Sequence, residues 1–289
     1  MEFDFDWVDA FASSAFGGNG CAVVHDGAIL SDATCMSYVR ETSLVECTFT
    51  GPSDVADLRV KYYLASREIP FAGHPTIATV AALKHRGKIG EGSLTLETGA
   101  GIVEIDVSGD LITMTQVAPS FGVEVPSDLV AAVGGIDPSD IISPPQVVST
   151  GLPFCITVLK DRETLERVSL NAKAMNDYFA HLGQEDDDMM EPYWIALDGA
   201  TDAGDTYARL LLVPPSPPED PFTGSATGAA ASYLWSRGLI DKPSYVAEQG
   251  HGIGRPGMAQ VEVLGPPQAI TGVRVGGRGI VVMSGKAYL

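Results

Sequence analysis

Apolar and polar residues alternate with a period of two along much of this chain. Leu58, Val60, Tyr62 and Leu64 share one face of an extended run, as side chains of a β-strand point alternately to its two faces. The same pattern, bounded by glycine and proline, predicts strands over 5–11, 21–24, 43–49, 58–64, 93–97, 102–107 and 111–116. It predicts others from Gln146 and over 154–159, 193–197, 207–213, 245–249, 259–263, 269–275 and 279–284. Ser31 can cap a helix from Asp32 to about Arg40, and 127–133 and 171–182 also read as helical. Thr76 to Leu83 and Thr227 to Leu234 are different: small, apolar runs with no polar face, the pattern of a buried helix.

Those two windows belong to a repeat. Glu68-Ile69-Pro70-Phe71-Ala72-Gly73-His74-Pro75-Thr76 overlays Glu219-Asp220-Pro221-Phe222-Thr223-Gly224-Ser225-Ala226-Thr227 without a gap. The copies share Glu, Pro, Phe, Gly and Thr, then Ala78 with Ala229, Leu83 with Leu234, and Arg86-Gly87 with Arg237-Gly238. Two copies imply two similar halves. Each reads as a tight Pro-Phe-x-Gly turn feeding a buried helix of about a dozen residues that stops at Arg-Gly.

The start of such a helix presents free N–H groups and a positive dipole end, a ready site for a carboxylate or phosphate. Gly73-His74 and Gly224-Ser225 stand at these starts. If the halves face each other, the two starts frame one anion pocket. Ordinary core helices with glycine turns would give either copy alone. The His of one turn, the Asp and Ser of the other, and the repetition favour a site.

Strands precede and follow one central helix in each half, an antiparallel-rich α+β pattern rather than a run of βαβ units. Pro119 begins a connector, so the halves divide near residue 118: residues 1–118, then 119–278, with the last strand, 279–289, able to return to the first half. Within 43–49, Leu44, Glu46 and Thr48 share a face. Glu46 is either a surface or Arg-paired strand residue, or a partly buried general base whose pKa desolvation raises. Asn19, in the glycine-rich turn 16–20, either orients a substrate or holds the turn. That turn lacks the GxxxxGK[ST] pattern of a phosphate loop. The loop 250–257 reads as a turn between strands, with ligand contact the sharper alternative.

Net charge changes the picture of partners. At −19, the chain opposes nucleic acid and anionic membrane, while a local site can still bind an anionic substrate. The acidic start Met1-Glu2-Phe3-Asp4 is no signal peptide, and no run is long enough to span a bilayer, so a cytoplasmic protein is expected. Cys21, Cys35, Cys47 and Cys155 show no CxxC spacing and read as reduced, buried residues, with no metal site expected. Residues 185–188 are a charge run read as a solvated loop rather than a calcium site.

Several motifs then converge. Asp9-Ala10-Phe11, Phe16-x-Gly-Asn19 with Ala22-Val23-Val24, Glu46-x-Thr48-Phe49, and Ile69-Pro70-Phe71-Ala72-Gly73-His74-Pro75 occur in order. Gly224-Ser225-Ala226-Thr227-Gly228 and Glu248-Gln249-Gly250 with Gly254-Arg255-Pro256 follow. From end to end the chain resembles the PhzF-like phenazine-biosynthesis proteins, relatives of diaminopimelate epimerase and proline racemase. The resemblance implies two pseudo-symmetric halves, each an antiparallel, barrel-like sheet around a central helix, with the site between them. It implies isomerisation of trans-2,3-dihydro-3-hydroxyanthranilate without metal or organic cofactor, and a homodimer. It places the catalytic glutamate on Glu46, the site histidine on His74 and the aspartate before the second turn on Asp220. Gly73, Gly224 and Ser225 fall on positions lining the substrate carboxylate, and Asn19 is a further substrate-binding candidate. Val45 and Gly20 depart from the usual serine and proline, which touches substrate identity more than chemistry.

Three functions follow. In an acid/base isomerase, Glu46 moves a proton between two carbons on one face of a conjugated small carboxylic acid. A cofactor-free epimerase needs acid and base on opposite faces of one carbon. Neither central turn carries a cysteine, which excludes a cysteine pair and leaves Glu46 with Asp220. A non-enzymatic binding protein on the same fold would lose nothing in Glu46→Gln.

Overall fold

The computed structural model describes residues 1–183, 191–214 and 216–289; the charge run 185–188 lies outside them. The first half of the chain forms β1 (Glu2–Ala10), β2 (Asn19–Val24), α1 (Asp32–Thr42), β3 (Cys47–Gly51), β4 (Leu58–Tyr63), β5 (Glu68–Ile69), α2 (Gly73–His85), β6 (Gly92–Thr98), β7 (Gly101–Ser108) and β8 (Leu111–Gln116). Then come β9 (Ser120–Glu124), α3 (Ser127–Gly134), β10 (Gln146–Ser149), β11 (Pro153–Leu159), α4 (Arg162–Arg167), α5 (Ala172–Leu182), β12 (Pro192–Ala196), β13 (Thr206–Leu211) and β14 (Glu219–Asp220). The chain closes with α6 (Gly224–Ser236), β15 (Ser244–Gln249), β16 (Gly257–Leu264), β17 (Gly272–Gly277) and β18 (Gly279–Tyr288).

The pairing scheme occurs twice. β1 pairs antiparallel with β2, β2 parallel with β3, and β3 antiparallel with β4. β4 pairs antiparallel with β5 and parallel with β6, and β6, β7 and β8 form a meander. β10 to β17 repeat these steps one for one. Each set wraps one central helix, α2 or α6, and every residue from Gly73 to Leu83 and from Gly224 to Leu234 is buried. A helix without a polar face is stable only when enclosed on all sides.

The halves are tied in three ways. β8 pairs with β17 across them. β9 leaves the first set of strands to pair with β10, and β18 returns to pair with β1. Phe11 stacks on Phe222, ring centroids 4.3 Å apart.

The exchanged strands explain the arginine that ends each repeat. Arg86 donates through Nε to Asp6 on β1 at 2.5 Å and through Nη2 at 3.0 Å, and Ser284 on β18 bonds the same carboxylate at 2.6 Å. In the second half Arg237 bonds Gln146 on β10 and Glu124 on β9. The registers pair Asp6 with Ser284 and Gln146 with Glu124, so Arg237 clamps β9 to β10 directly and Arg86 holds β18 to β1 through the Asp6 carboxylate.

Several boundaries differ from the sequence reading, four of them instructively. β3 starts at Cys47, because Ser43 ends α1 in the left-handed conformation (φ 54°) and the chain is still turning through 44–46. The connector after Pro119 contains β9. Asn171 caps α5 rather than belonging to it, accepting from the Lys173 and Ala174 amides. β17 starts at Gly272 rather than 269. The four cysteines are buried and free, and no helix among the described residues is long and apolar enough to cross a membrane.

Candidate active site

α2 and α6 begin against each other. A Cβ on Gly73 would lie 2.7 Å from the Ser225 nitrogen and 2.8 Å from the Gly224 Cα. Only glycine permits that approach. Neither start has a side-chain cap, since Ala72 and Thr223 make none. The first-turn amides of a helix have no partner within it, so two sets of donors and two positive dipole ends converge on one place.

The polar residues around this place form a chain across the halves. Asn19, at the start of β2, lies with its Nδ2 3.0 Å from His74 Nδ1, 2.6 Å from Asp220 Oδ1 and 2.9 Å from the Phe222 carbonyl. A carbonyl only accepts, so the amino group must face Phe222. Two hydrogens then serve three acceptors. His74 Nδ1 is also 3.7 Å from Glu46 Oε2, and His74 Nε2 has no protein partner though buried. A buried unpaired ring nitrogen in such a place calls for a ligand.

Burial sets the charges. Asn19 is 2% exposed, Glu46 8%, His74 3% and Asp220 4%. Desolvation, then the nearby Asp220, push the Glu46 carboxyl well above the usual range. Desolvation lowers His74 to about 3; the nearby Gly20 backbone opposes this and the Arg255 charge adds to it. His74 is thus an uncharged imidazole at neutral pH, so its contact with Glu46 is not an ion pair. Asp220 rises to about 7, again through burial; Thr223 and Asn19 bond its oxygens and pull it down, while Glu191 and Glu219 push it up.

Each group is held by its element. Asp220 sits on β14, fixed by Arg209, whose Nε and Nη2 grip Glu219 at 3.0 and 2.7 Å. Thr223 donates to Asp220 Oδ2 at 2.5 Å. Gln249, at the end of β15, donates to the Asp220 carbonyl at 2.7 Å and to Thr223 Oγ1 at 3.1 Å, and accepts from the Thr223 amide at 3.0 Å. Glu46 stands in the turn entering β3, not within the strand as its alternation suggested. Ser225, 5% exposed, lies in the first turn of α6.

All seven expected site residues therefore meet at the helix starts. Asn19 is spent on protein partners, which makes it a brace between His74 and Asp220 rather than an open substrate donor. Sequence reasoning missed Thr223 and Gln249. Their signals were present: a threonine where the other copy of the repeat has Ala72, and the Glu248-Gln249-Gly250 motif. It also missed Glu191, which enters β12 as Glu46 enters β3 and is likewise buried with a raised pKa.

A groove of about 1200 Å³ runs along the β8–β17 seam. It contains none of these residues, and Asp57, Glu104, Asp106, Asp205 and Glu262 line it. Such a wall repels a carboxylate, whereas the helix starts attract one.

With this geometry the chain can be placed among known proteins. It belongs to the family described as phenazine biosynthesis-like protein (PhzC-PhzF), whose model matches residues 8–285, and it is an enzyme of the isomerase class. An uncharacterized isomerase of Bacillus subtilis, YfhB, is 27% identical over 264 residues, covering 88% of each chain. The trans-2,3-dihydro-3-hydroxyanthranilate isomerase of Pseudomonas aeruginosa is 29% identical over 291 residues, covering 98% of each. The crystal structure of a Bacillus anthracis PhzF-family protein superposes with a TM-score of 0.84 at 26% identity, covering 100% of both chains.

Proposed function

We propose that this protein is a cofactor-independent acid/base isomerase of a small cyclic amino or hydroxy carboxylic acid, similar in kind to trans-2,3-dihydro-3-hydroxyanthranilate. One observation carries the reading: a buried carboxyl, Glu46, beside an uncharged His74 where two helix starts converge. The helix-start amides take the substrate carboxylate and the negative charge that develops when a C–H bond breaks. Glu46 removes a proton from an activated carbon and returns it to another carbon of the same conjugated system, so no net proton is consumed. A carboxyl whose pKa lies well above the ordinary range is the stronger base when ionised and can still return its proton near neutrality. His74 and Asp220 hold the amine or hydroxyl and assist transfer.

A second reading has its own support, since Glu46 and Asp220 come from opposite halves and both carry raised pKa values. Such a pair suits epimerisation at one carbon. Proton NMR in D₂O separates the two. The isomerase reading expects trans-2,3-dihydro-3-hydroxyanthranilate, or another member of a panel of cyclic amino and hydroxy acids, to isomerise. Deuterium entering only the α-carbon of an amino acid would replace it with the epimerase.

A further inference from the structure

The site groups are more than nine-tenths buried, so substrate enters only if the halves part. Over the site they meet along one polar seam, between the turn that leads into Asn19 and the loop before β16. Arg255 donates from Nε to the Gly18 carbonyl at 2.8 Å, and from Nη2 to the Gly17 carbonyl at 3.0 Å and Asp9 Oδ1 at 2.7 Å. Asp9, 1% exposed, accepts the Phe16 amide on its other oxygen at 2.7 Å. The Gly18 amide donates to the Pro256 carbonyl at 2.9 Å, and the Met258 amide to Phe11 at 2.9 Å. A Cβ on Gly17 would lie 2.8 Å from the Pro256 oxygen, so the turn fits flush beneath the loop.

We propose that Arg255 is a positioning residue for the isomerisation. Its guanidinium fastens the turn before Asn19 to the opposite half, so that Asn19 holds His74 and Asp220 in one geometry, and its contacts part to admit substrate. Three features argue for it. The turn that Arg255 grips ends in Asn19, the residue bonded to both halves of the site. The three acceptors are fixed in place and suit the rigid fork of a guanidinium, which a lysine cannot reproduce. The seam is also polar, the Arg255–Asp9 ion pair with hydrogen bonds to backbone carbonyls, whose groups water can solvate once parted, while the floor of the cleft is the apolar Phe11–Phe222 stack. The rim opens more cheaply than the floor. The positive charge of Arg255 also acts on His74.

The role in turnover rests on the isomerase reading, so the test has one arm that needs no substrate. In that arm, amide exchange of residues 16–20 and NMR titration of the His74 imidazole are compared in the wild type, Arg255→Ala and Arg255→Lys. Removal of the guanidinium should speed exchange in that turn and raise the His74 pKa, with the lysine variant closer to alanine than to wild type. Unchanged exchange and an unmoved His74 would overturn the proposal. In the second arm, with trans-2,3-dihydro-3-hydroxyanthranilate, kcat of Arg255→Ala should fall by about 100-fold, the scale of a misplaced catalytic group. Methylguanidinium should restore part of it. Wild-type kcat in Arg255→Ala, or no rescue of a folded variant, would reduce Arg255 to scaffolding and overturn the proposal. If the wild type isomerises neither dihydroanthranilate nor any acid of the panel, that reading fails and the first arm still decides Arg255.

Discussion

Gly73 and Gly224 touch where the two central helices begin, with room for no side chain on Gly73: its Cβ would meet the Gly224 backbone at 2.8 Å. The Cβ of Gly224 would instead meet the Phe11 ring at 2.9 Å. Backbone cannot yield, and a ring can. Gly73→Ala should therefore cost about 1–3 kcal/mol, as overpacking does, and Gly224→Ala less. Denaturant midpoints of the two variants test the order. Anthranilate binding should weaken more in Gly73→Ala, because the converging amides are pushed apart.

Asp220 gives a pH signature. Its folded pKa is about 7 against 3.8 unexposed to the fold, so the folded state binds more protons between those values. Stability from this group is then greatest below pH 4 and is lost as pH rises toward 7, by an amount of order 4 kcal/mol. Asp220→Asn removes that loss. Its stability relative to wild type should climb from pH 4 to pH 7 in parallel denaturation curves. A difference that is flat with pH would contradict the burial argument.

The two clamping arginines are equivalent in the repeat but not in worth. Arg86 serves a fully buried Asp6; burial pushes that carboxyl up, but hydrogen bonds from Arg86, Ser284 and His25 outweigh it and hold the pKa at about 2. Arg237 serves an exposed Glu124, 53% open to solvent. Arg86→Ala should cost about 3–5 kcal/mol, since it strands a buried charge, and Arg237→Ala about 1 kcal/mol or less. The Asp6 contribution is present above pH 4 and disappears as pH falls toward 2. Urea unfolding of both variants at pH 7 checks the ratio.

Much of this is legible in the sequence. The gap-free repeat announced both central helices and their glycine starts, because small-residue packing constrains every position. Motifs along the chain point to Asn19, Glu46, His74 and Asp220. The register that joins them is not legible there, because strand pairing is a long-range property. Arg86 and Arg237 read only as basic helix ends; their purpose depends on β9 and β18 crossing between halves. Glu191 escaped because the segment from the glutamate to the turn is longer in the second half, so the overlay that aligns the turns misaligns Glu46 with it. Alternation alone places Glu46 within a strand, since it cannot mark where a turn releases the chain. Gly254-Arg255-Pro256 is a motif of the glycine-rich loop, but only the contacts of Arg255 with Gly17, Gly18 and Asp9 give it a role.

The central claim is that Glu46 carries the proton. Its most direct test is kcat for trans-2,3-dihydro-3-hydroxyanthranilate in wild type and Glu46→Gln, followed by proton NMR in D₂O under single-turnover conditions. Glutamine keeps the shape and cannot exchange a proton, so the variant should stay folded and lose about 10²–10⁴-fold in rate, the range of a general acid–base group. A folded Glu46→Gln that turns over within about threefold of wild type, well short of that range, would contradict the account.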